Sequence, residues 1–195
     1  MDFLSSVFDP TSVDFLESIE CGAYKIASPE LVDVPLIEYT ASKGKPMIIS
    51  CGMGSMEEIQ DAVDACRREG NEQIVLLKCT SEYPAVYEDM NIATMADMRE
   101  RFGFPVGLRD SMEAMAVDVA AATLGASVIE KHFCITRDEE PSIRLFHGQA
   151  RVRGHDRGRE KCQRRLSGAS LMSVRRVKSR ASRTRSLRGG RHRRW

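Results

Sequence analysis

Six short apolar runs rich in β-branched residues recur along this chain, and each is followed by a stretch of helical periodicity. They are Phe3 to Phe8, Tyr24 to Ala27, Pro46 to Ser50, Ile74 to Cys79, Pro105 to Leu108 and Ser127 to His132. Runs such as MIIS and IVLLK lack the polar alternation of a half-solvated strand and suit parallel strands buried on both faces. The segments between them predict helices over Ser12 to Ile19, Leu31 to Ser42, SMEEIQDAVDACRREG, Asn91 to Arg101 and Met112 to Leu124. The first opens with hydroxyl capping. The third is the best punctuated: Ser55 and Glu58 form a capping box, Ile59, Val63 and Cys66 make one apolar face, and Gly70 terminates it after Arg67 and Arg68. Strands and helices in this alternation, joined by short connections, make an α/β fold.

Two α/β architectures compete. A doubly wound sheet is expected to carry a glycine-rich phosphate turn after its first strand, and neither GxGxxG nor GxxxxGK occurs. A TIM barrel instead gathers polar residues at the C-terminal ends of several strands. Lys25 and Ser28, Ser50, Thr80 and Tyr83, Asp110, and Lys131 with His132 all stand at such ends. The expectation is a partial TIM (β/α)8 barrel of about six β/α units over residues 1–141.

The stretch YKIASPEL places a lysine, a hydroxyl and a carboxylate (Lys25, Ser28, Glu30) at the end of a buried strand. Such a set can bind a phosphorylated, carboxylated ligand and handle a proton; read more plainly, Lys25 and Glu30 are a solvated pair flanking a turn. Five cysteines (Cys21, Cys51, Cys66, Cys79, Cys134) lie in this body at irregular spacing with no CxxC pair, which predicts reduced, mostly buried thiols. Of these, Cys51 in SCGMG is the one placed near a site. No apolar stretch is long enough to span a membrane and MDFLSSVFD lacks the pattern of a signal peptide, so a cytoplasmic protein without membrane contact is expected.

The strings AYKIASPELVDVPLIEYTASKGKPMIISCGM, IVLLKCTSEYPAVYEDMN and LGASVIEKHF resemble the N-acetylneuraminate (sialic acid) synthase family, which includes the pseudaminic and legionaminic acid synthases. The resemblance covers roughly residues 3–141. It implies a TIM barrel that condenses phosphoenolpyruvate with N-acetylmannosamine or a related N-acyl hexosamine, giving a nonulosonic acid and phosphate. It also implies assistance by Mn²⁺ or Mg²⁺ and a homodimer in which a C-terminal antifreeze-like domain closes the partner's site. By the same resemblance Lys25 and Ser28 bind the carboxylate and phosphate of phosphoenolpyruvate, Glu30 contacts substrate and handles a proton, and Ser50 is a further phosphate donor. Thr80 and Tyr83 line the substrate pocket. His132 in EKHF becomes a metal ligand, where the residue alone reads as a hydrogen-bonded core histidine.

This chain departs from the family in four places. The opening two strand and helix units are missing, the aspartate segment expected after EKHFCITRDEEP is absent, and so is the antifreeze-like domain. The fourth departure is chemical. Where the family has SDH, this sequence has Arg109, Asp110 and Ser111, and an arginine in place of a metal-site serine would repel a divalent cation. Little or no synthase activity is therefore expected of the chain as it stands, an inactive fragment of such an enzyme.

The charge changes sign after Pro141. Residues 1–141 carry 11 Lys and Arg against 26 Asp and Glu, whereas residues 142–195 carry 18 against 2. An Arg-rich tail of this density reads in one way as a nucleic-acid-binding arm. In another reading it is out of frame. With allowed codons chosen and the frame shifted by one base, Ile143 to Lys161 becomes FGFSMDKQEFEAMIEAVR and Lys178 to Trp195 becomes KSRVFARSLFAVEDIAA, both similar to what the family has there. On that account residues 142–195 are a disordered basic tail and nucleic acid is not a partner. A third reading makes the chain a catalytically dead partner of a full-length synthase.

Overall fold

A computed structural model describes residues 4–80, 87–110 and 115–131. Within them lie six strands, β1 (Ser6–Val7), β2 (Tyr24–Ile26), β3 (Met47–Ser50), β4 (Ile74–Cys79), β5 (Val106–Asp110) and β6 (Ile129–Lys131). Between them come helices α1 (Pro10–Ser18), α2 (Val34–Ser42), α3 (Met56–Arg68), α4 (Thr94–Phe102) and α5 (Met115–Thr123). The strands form one sheet, all parallel, in the order β1 to β6. A doubly wound sheet reverses its strand order at a switch point, whereas a barrel lays strands down in unbroken sequence.

The sheet is rolled. Neighbouring strands lie about 4.8 Å apart, so β2 and β6 would stand about 19 Å apart in a flat sheet. Yet Lys25 Nζ on β2 lies 3.9 Å from Glu130 Oε2 on β6, a contact that two side chains can make only across a concave face. Ile48, Val75, Leu77 and Val128 fill that face, with Leu4 packed against them. The other face, including Tyr24, Ile26, Met47, Ile49, Leu76 and Leu108, packs under the helices. Burial on both sides is why these strands read as continuous apolar runs rather than alternating ones. The architecture is thus a half-barrel of six parallel strands with five helices among the described residues, in line with the partial barrel expected from the sequence.

Three helix starts differ from the expectation: α4 begins at Thr94 rather than Asn91, and α1 and α2 differ as follows. Helix α1 begins at Pro10, and its cap is Asp9, whose Oδ1 accepts from Ser12 N at 2.7 Å. Ser12 is the reciprocal partner, its Oγ accepting from Asp9 N at 3.2 Å. The stretch Leu31 to Ser42 is not one helix: a 3-10 turn spans Pro29–Val32, and α2 starts afresh with Asp33 accepting from Leu36 N at 3.0 Å. A helix running through would drive the Pro35 ring against the carbonyl of Leu31. For α3 the capping box of Ser55 and Glu58 is present as read.

Exposed large apolar side chains include Phe8, Phe15 and Ile19 beside β1, and Met115 at the start of α5 with Leu124 just past its end. These elements flank the outermost strands of the sheet. No helix among the described residues is long and apolar enough to cross a membrane.

Candidate functional site at the open end of the half-barrel

The ladder register decides which polar residues share the concave face. Lys25 pairs with Ile48, Ser50 with Leu77, Cys79 with Arg109, and Arg109 with Glu130. Ile48 and Leu77 belong to the inner apolar layer, and alternate residues on a strand point the same way. Lys25, Ser50, Cys79, Arg109 and Glu130 therefore line the inner wall towards the C-terminal ends of the strands.

Lys25 is the centre of this group. It is buried, and its ammonium donates to Ser50 Oγ at 2.7 Å and to the Ile26 carbonyl at 2.7 Å. Burial pulls its pKa below the ordinary lysine value, opposed by the Glu130 carboxylate. An ammonium has three N–H donors. Two are placed on Ser50 and Ile26, and Glu130 at 3.9 Å is beyond hydrogen-bond reach, which leaves donor capacity for an anionic ligand. Glu130 also faces Arg109, with Oε1 3.7 Å from Nε.

Ser28 stands at the start of the 3-10 turn that follows β2. Its Oγ accepts from Gly52 N at 3.1 Å and lies 3.0 Å from Cys79 Sγ, so it bridges the ends of β2, β3 and β4. Glu30, two residues on in the same turn, has a buried Oε2 with no hydrogen-bond partner among the described residues. A buried carboxylate oxygen without a donor is an acceptor for a ligand hydroxyl or a proton. Thr80 is placed differently: its Oγ1 accepts from Lys78 Nζ at 2.9 Å and donates to the Asp89 carbonyl at 3.3 Å, and no bond joins it to the Lys25 group. Tyr83, Ser111, His132 and the tail 142–195 lie outside the described residues.

The four described cysteines, Cys21, Cys51, Cys66 and Cys79, are buried thiols outside any disulfide, as the irregular spacing implied. Cys51 does lie near the site, but burial pushes its thiol up to about 12, with Cys79 adding to the effect. It is a packing residue there and not a nucleophile.

Asp110 and Lys131 stand at strand ends as read from the sequence, yet they do not enter the mouth. They lie one residue on from Arg109 and Glu130, so the pleat turns them to the convex face. There Lys131 Nζ donates to Asp110 Oδ2 at 2.6 Å and to Asp118 Oδ2, on α5, at 3.0 Å. Burial pushes the Asp118 carboxyl up to about 8, helped by its hydrogen bond with Asp110 and that residue's charge, while Lys131 opposes the shift. This cluster pins α5 to the sheet. Arg109 and Glu130, the inner-face partners missed as a pair from sequence, could have been found by carrying the alternation of Lys25 and Ser50 across the sheet.

With the geometry in place, the comparisons with known proteins are decisive. A family model, the NeuB family, matches residues 1–142. The chain belongs to the NeuB family. It is 44% identical over 137 residues to the pseudaminic acid synthase of Helicobacter pylori, a match covering 70% of this chain and 40% of that one. To the N,N'-diacetyllegionaminic acid synthase of Legionella pneumophila it is 40% identical over 141 residues, covering 70% and 40%. Among solved structures, the spore coat polysaccharide biosynthesis protein SpsE of Bacillus subtilis superposes with a TM-score of 0.83 at 31% identity, covering 89% of this chain and 49% of that one. The chain spans about two fifths of the length of the curated NeuB-family relatives it matches.

The described residues of the inner wall offer no cation site. Among the described residues no group of three or more His, Cys, Asp or Glu side chains is placed to hold a metal ion. Glu130, the carboxylate on this wall, is flanked by Lys25 and Arg109, and a divalent ion set against Glu130 would be repelled by both. These residues do not fit Mn²⁺ or Mg²⁺.

Proposed function

We propose that this chain carries the phosphoenolpyruvate-binding wall of a nonulosonic acid synthase, a carbon–carbon bond-forming transferase that condenses phosphoenolpyruvate with an N-acyl hexosamine such as N-acetylmannosamine. The observation that supports this most is the buried Lys25 ammonium, bonded to Ser50 on the neighbouring strand and retaining donor capacity on the concave face. Lysine supplies a point charge suited to a carboxylate or phosphate. The Ser50 hydroxyl accepts from Lys25 and has a proton of its own with which to donate to a ligand. Ser28 and the Gly52 N–H extend that polar rim across the next strand end. Glu30, with its unpartnered oxygen, is positioned to accept a proton or orient a sugar hydroxyl. The resemblance adds Tyr83 on the sugar side, Thr80 as a further substrate contact and His132 as a metal ligand; assembly as a homodimer in the cytoplasm belongs to the same reading.

The test is equilibrium binding of phosphoenolpyruvate to the purified chain by titration calorimetry. Lys25→Met is expected to weaken binding about 10- to 100-fold, the loss of hydrogen bonds to a charged group. Equal affinity in wild type and variant would sink the proposal. Turnover is a separate matter. With the Arg109 guanidinium at the mouth, synthase turnover by this chain is expected to be negligible, and a rate clearly above that of a His132→Ala control would overturn that expectation.

A further inference from the structure

We infer that the C-terminal face of this half-barrel is a docking surface for the chain's own Arg-rich segment, residues 142–195, held by a ring of apolar side chains and the acidic groups set among them. The inference goes beyond the function proposed above and does not depend on what the mouth binds.

Phe8, Val32, Met53 and Tyr87 stand in the connections that lead from β1, β2, β3 and β4 to the following helices, and Met115 is the first residue of α5. All five are 44% to 64% exposed. In a barrel of parallel strands these connections share the C-terminal face. One large apolar side chain therefore stands open to water at each of five successive positions round the mouth. A single exposed apolar residue needs no explanation, but a recurring set on one face marks a contact surface. Phe15, Ile19 and Leu124, the other exposed large apolar side chains among the described residues, lie outside these connections.

Charge selects the occupant. The connections 8–9, 27–33, 51–55, 80–93 and 111–114 hold seven Asp and Glu and no Lys or Arg. Those at the opposite end, 19–23, 43–46, 69–73, 103–105 and 124–128, hold three Glu and two Lys. Asp33, Glu88 and Asp89 are exposed, as is Glu57 in the first turn of α3. Such a face attracts a cationic partner that also carries apolar side chains. Residues 142–195 are of that kind, with 16 Arg and 2 Lys against 2 acids and with Leu171, Met172, Val174 and Val177 interspersed. The connection is short enough and starts from the same face. Strand β6 runs parallel to the others and ends at Lys131, so the chain leaves the described residues at the C-terminal side of the sheet. Residues 132–141, which intervene, can span up to about 33 Å, whereas six strands even laid flat measure about 24 Å across. Tethering gives the segment a high effective concentration, so contacts that are individually weak suffice.

The experiment uses the full 195-residue chain. A zero-length carbodiimide joins a lysine amine to a carboxylate in contact with it, and residues 142–195 contain two lysines, Lys161 and Lys178. Applied at low salt to a dilute, equal mixture of isotopically labelled and unlabelled chain, it is expected to link these lysines within one chain to acids of the strand-to-helix connections or of the first turn of α3. The links should fade at high salt. Limited trypsin digestion reads the same contact, since cleavage follows the population of undocked segment. Met53→Ser/Tyr87→Ser is expected to speed cleavage within 142–195 at least about tenfold, and Glu88→Gln/Asp89→Asn about two- to fivefold. Links to Glu20, Glu69 or Glu72 at the opposite end, links between labelled and unlabelled chains alone, or no links would each overturn the inference. So would wild-type cleavage rates in both double variants. Nucleic acid is the competing occupant of the segment. Duplex DNA is expected to bind Met53→Ser/Tyr87→Ser more tightly than wild type, because the segment is released; equal affinity would mean that the face never held it. Crosslinking needs no substitution, so a variant that fails to fold does not shield the inference.

Discussion

Lys131→Met is expected to destabilise the fold by about 3–5 kcal/mol at pH 8, the usual cost of stripping the counter-ion from a buried pair. The ammonium of Lys131 holds Asp110 and Asp118 together at 2.6 and 3.0 Å, and both carboxylates are buried. Without it, two buried acids face each other between β5 and α5 and the cation that offsets their repulsion and lost hydration is gone. Their remaining course is to hold a proton, so the variant should fare better in acid. The direction follows from linkage. Asp118 is raised from its ordinary 3.8 to about 8 in the folded chain, so between those values the folded state holds a proton that the unfolded state has released. Stability contributed by this group is therefore present below about pH 4 and declines as pH rises towards 8. Removing Lys131, which opposes the rise, deepens that decline. Asp118→Asn removes the titrating group and should flatten the profile. Urea denaturation at pH 5 and pH 8 measures all three proteins; wild-type stability in Lys131→Met at both pH values would refute the account.

Gly107→Ala is expected to cost about 2–3 kcal/mol by forced overpacking of the sheet. A Cβ at Gly107 would sit 2.4 Å from the Val128 carbonyl oxygen and 2.8 Å from Leu77 Cδ2. The leucine methyl can turn aside, but the carbonyl cannot, because it accepts the Leu108 N–H at 2.9 Å in the ladder that joins β5 to β6. The added methyl must push the two strands apart. Since Arg109 and Glu130 lie on those same strands, amide hydrogen exchange in β6 should speed up along with the loss of stability. Gly54→Ala makes a useful contrast. The atom in its way is a Leu31 side-chain methyl at 2.1 Å, the end of a flexible group, and its cost should be smaller. Equal melting temperatures for wild type and Gly107→Ala would count against the close approach of β5 and β6.

Much of this was legible because local rules settle it. Two-sided burial writes continuous apolar runs: five of the six runs predicted from sequence contain an observed strand, and Pro105 to Leu108 overlaps β5, which continues to Asp110. The capping box at Ser55 and Glu58 is a contact between residues three apart and needs no tertiary knowledge. Helix α2 shows where such rules are easily misapplied: apolar spacing ran through Asp33 and Pro35, but the missing proline N–H and its ring decide where a helix can begin. The family motifs pointed to Lys25, Ser28, Glu30 and Ser50, and the structure gathers Lys25 with Ser50 and sets Ser28 at the neighbouring strand ends.

The sequence by itself determined the α/β repeat, the parallel strands, the family and the polar strand ends. It could not say which side of each strand faces inward, because strands buried on both faces carry no amphipathic signal to mark the side. That choice was made by the rolling of the sheet and the ladder register. They turn Asp110 and Lys131 outward to Asp118 and bring Arg109 and Glu130 inward to Lys25. One residue of shift along a strand reverses the face of a side chain, and here that step separates a charge cluster that fastens a helix from one that can hold a ligand.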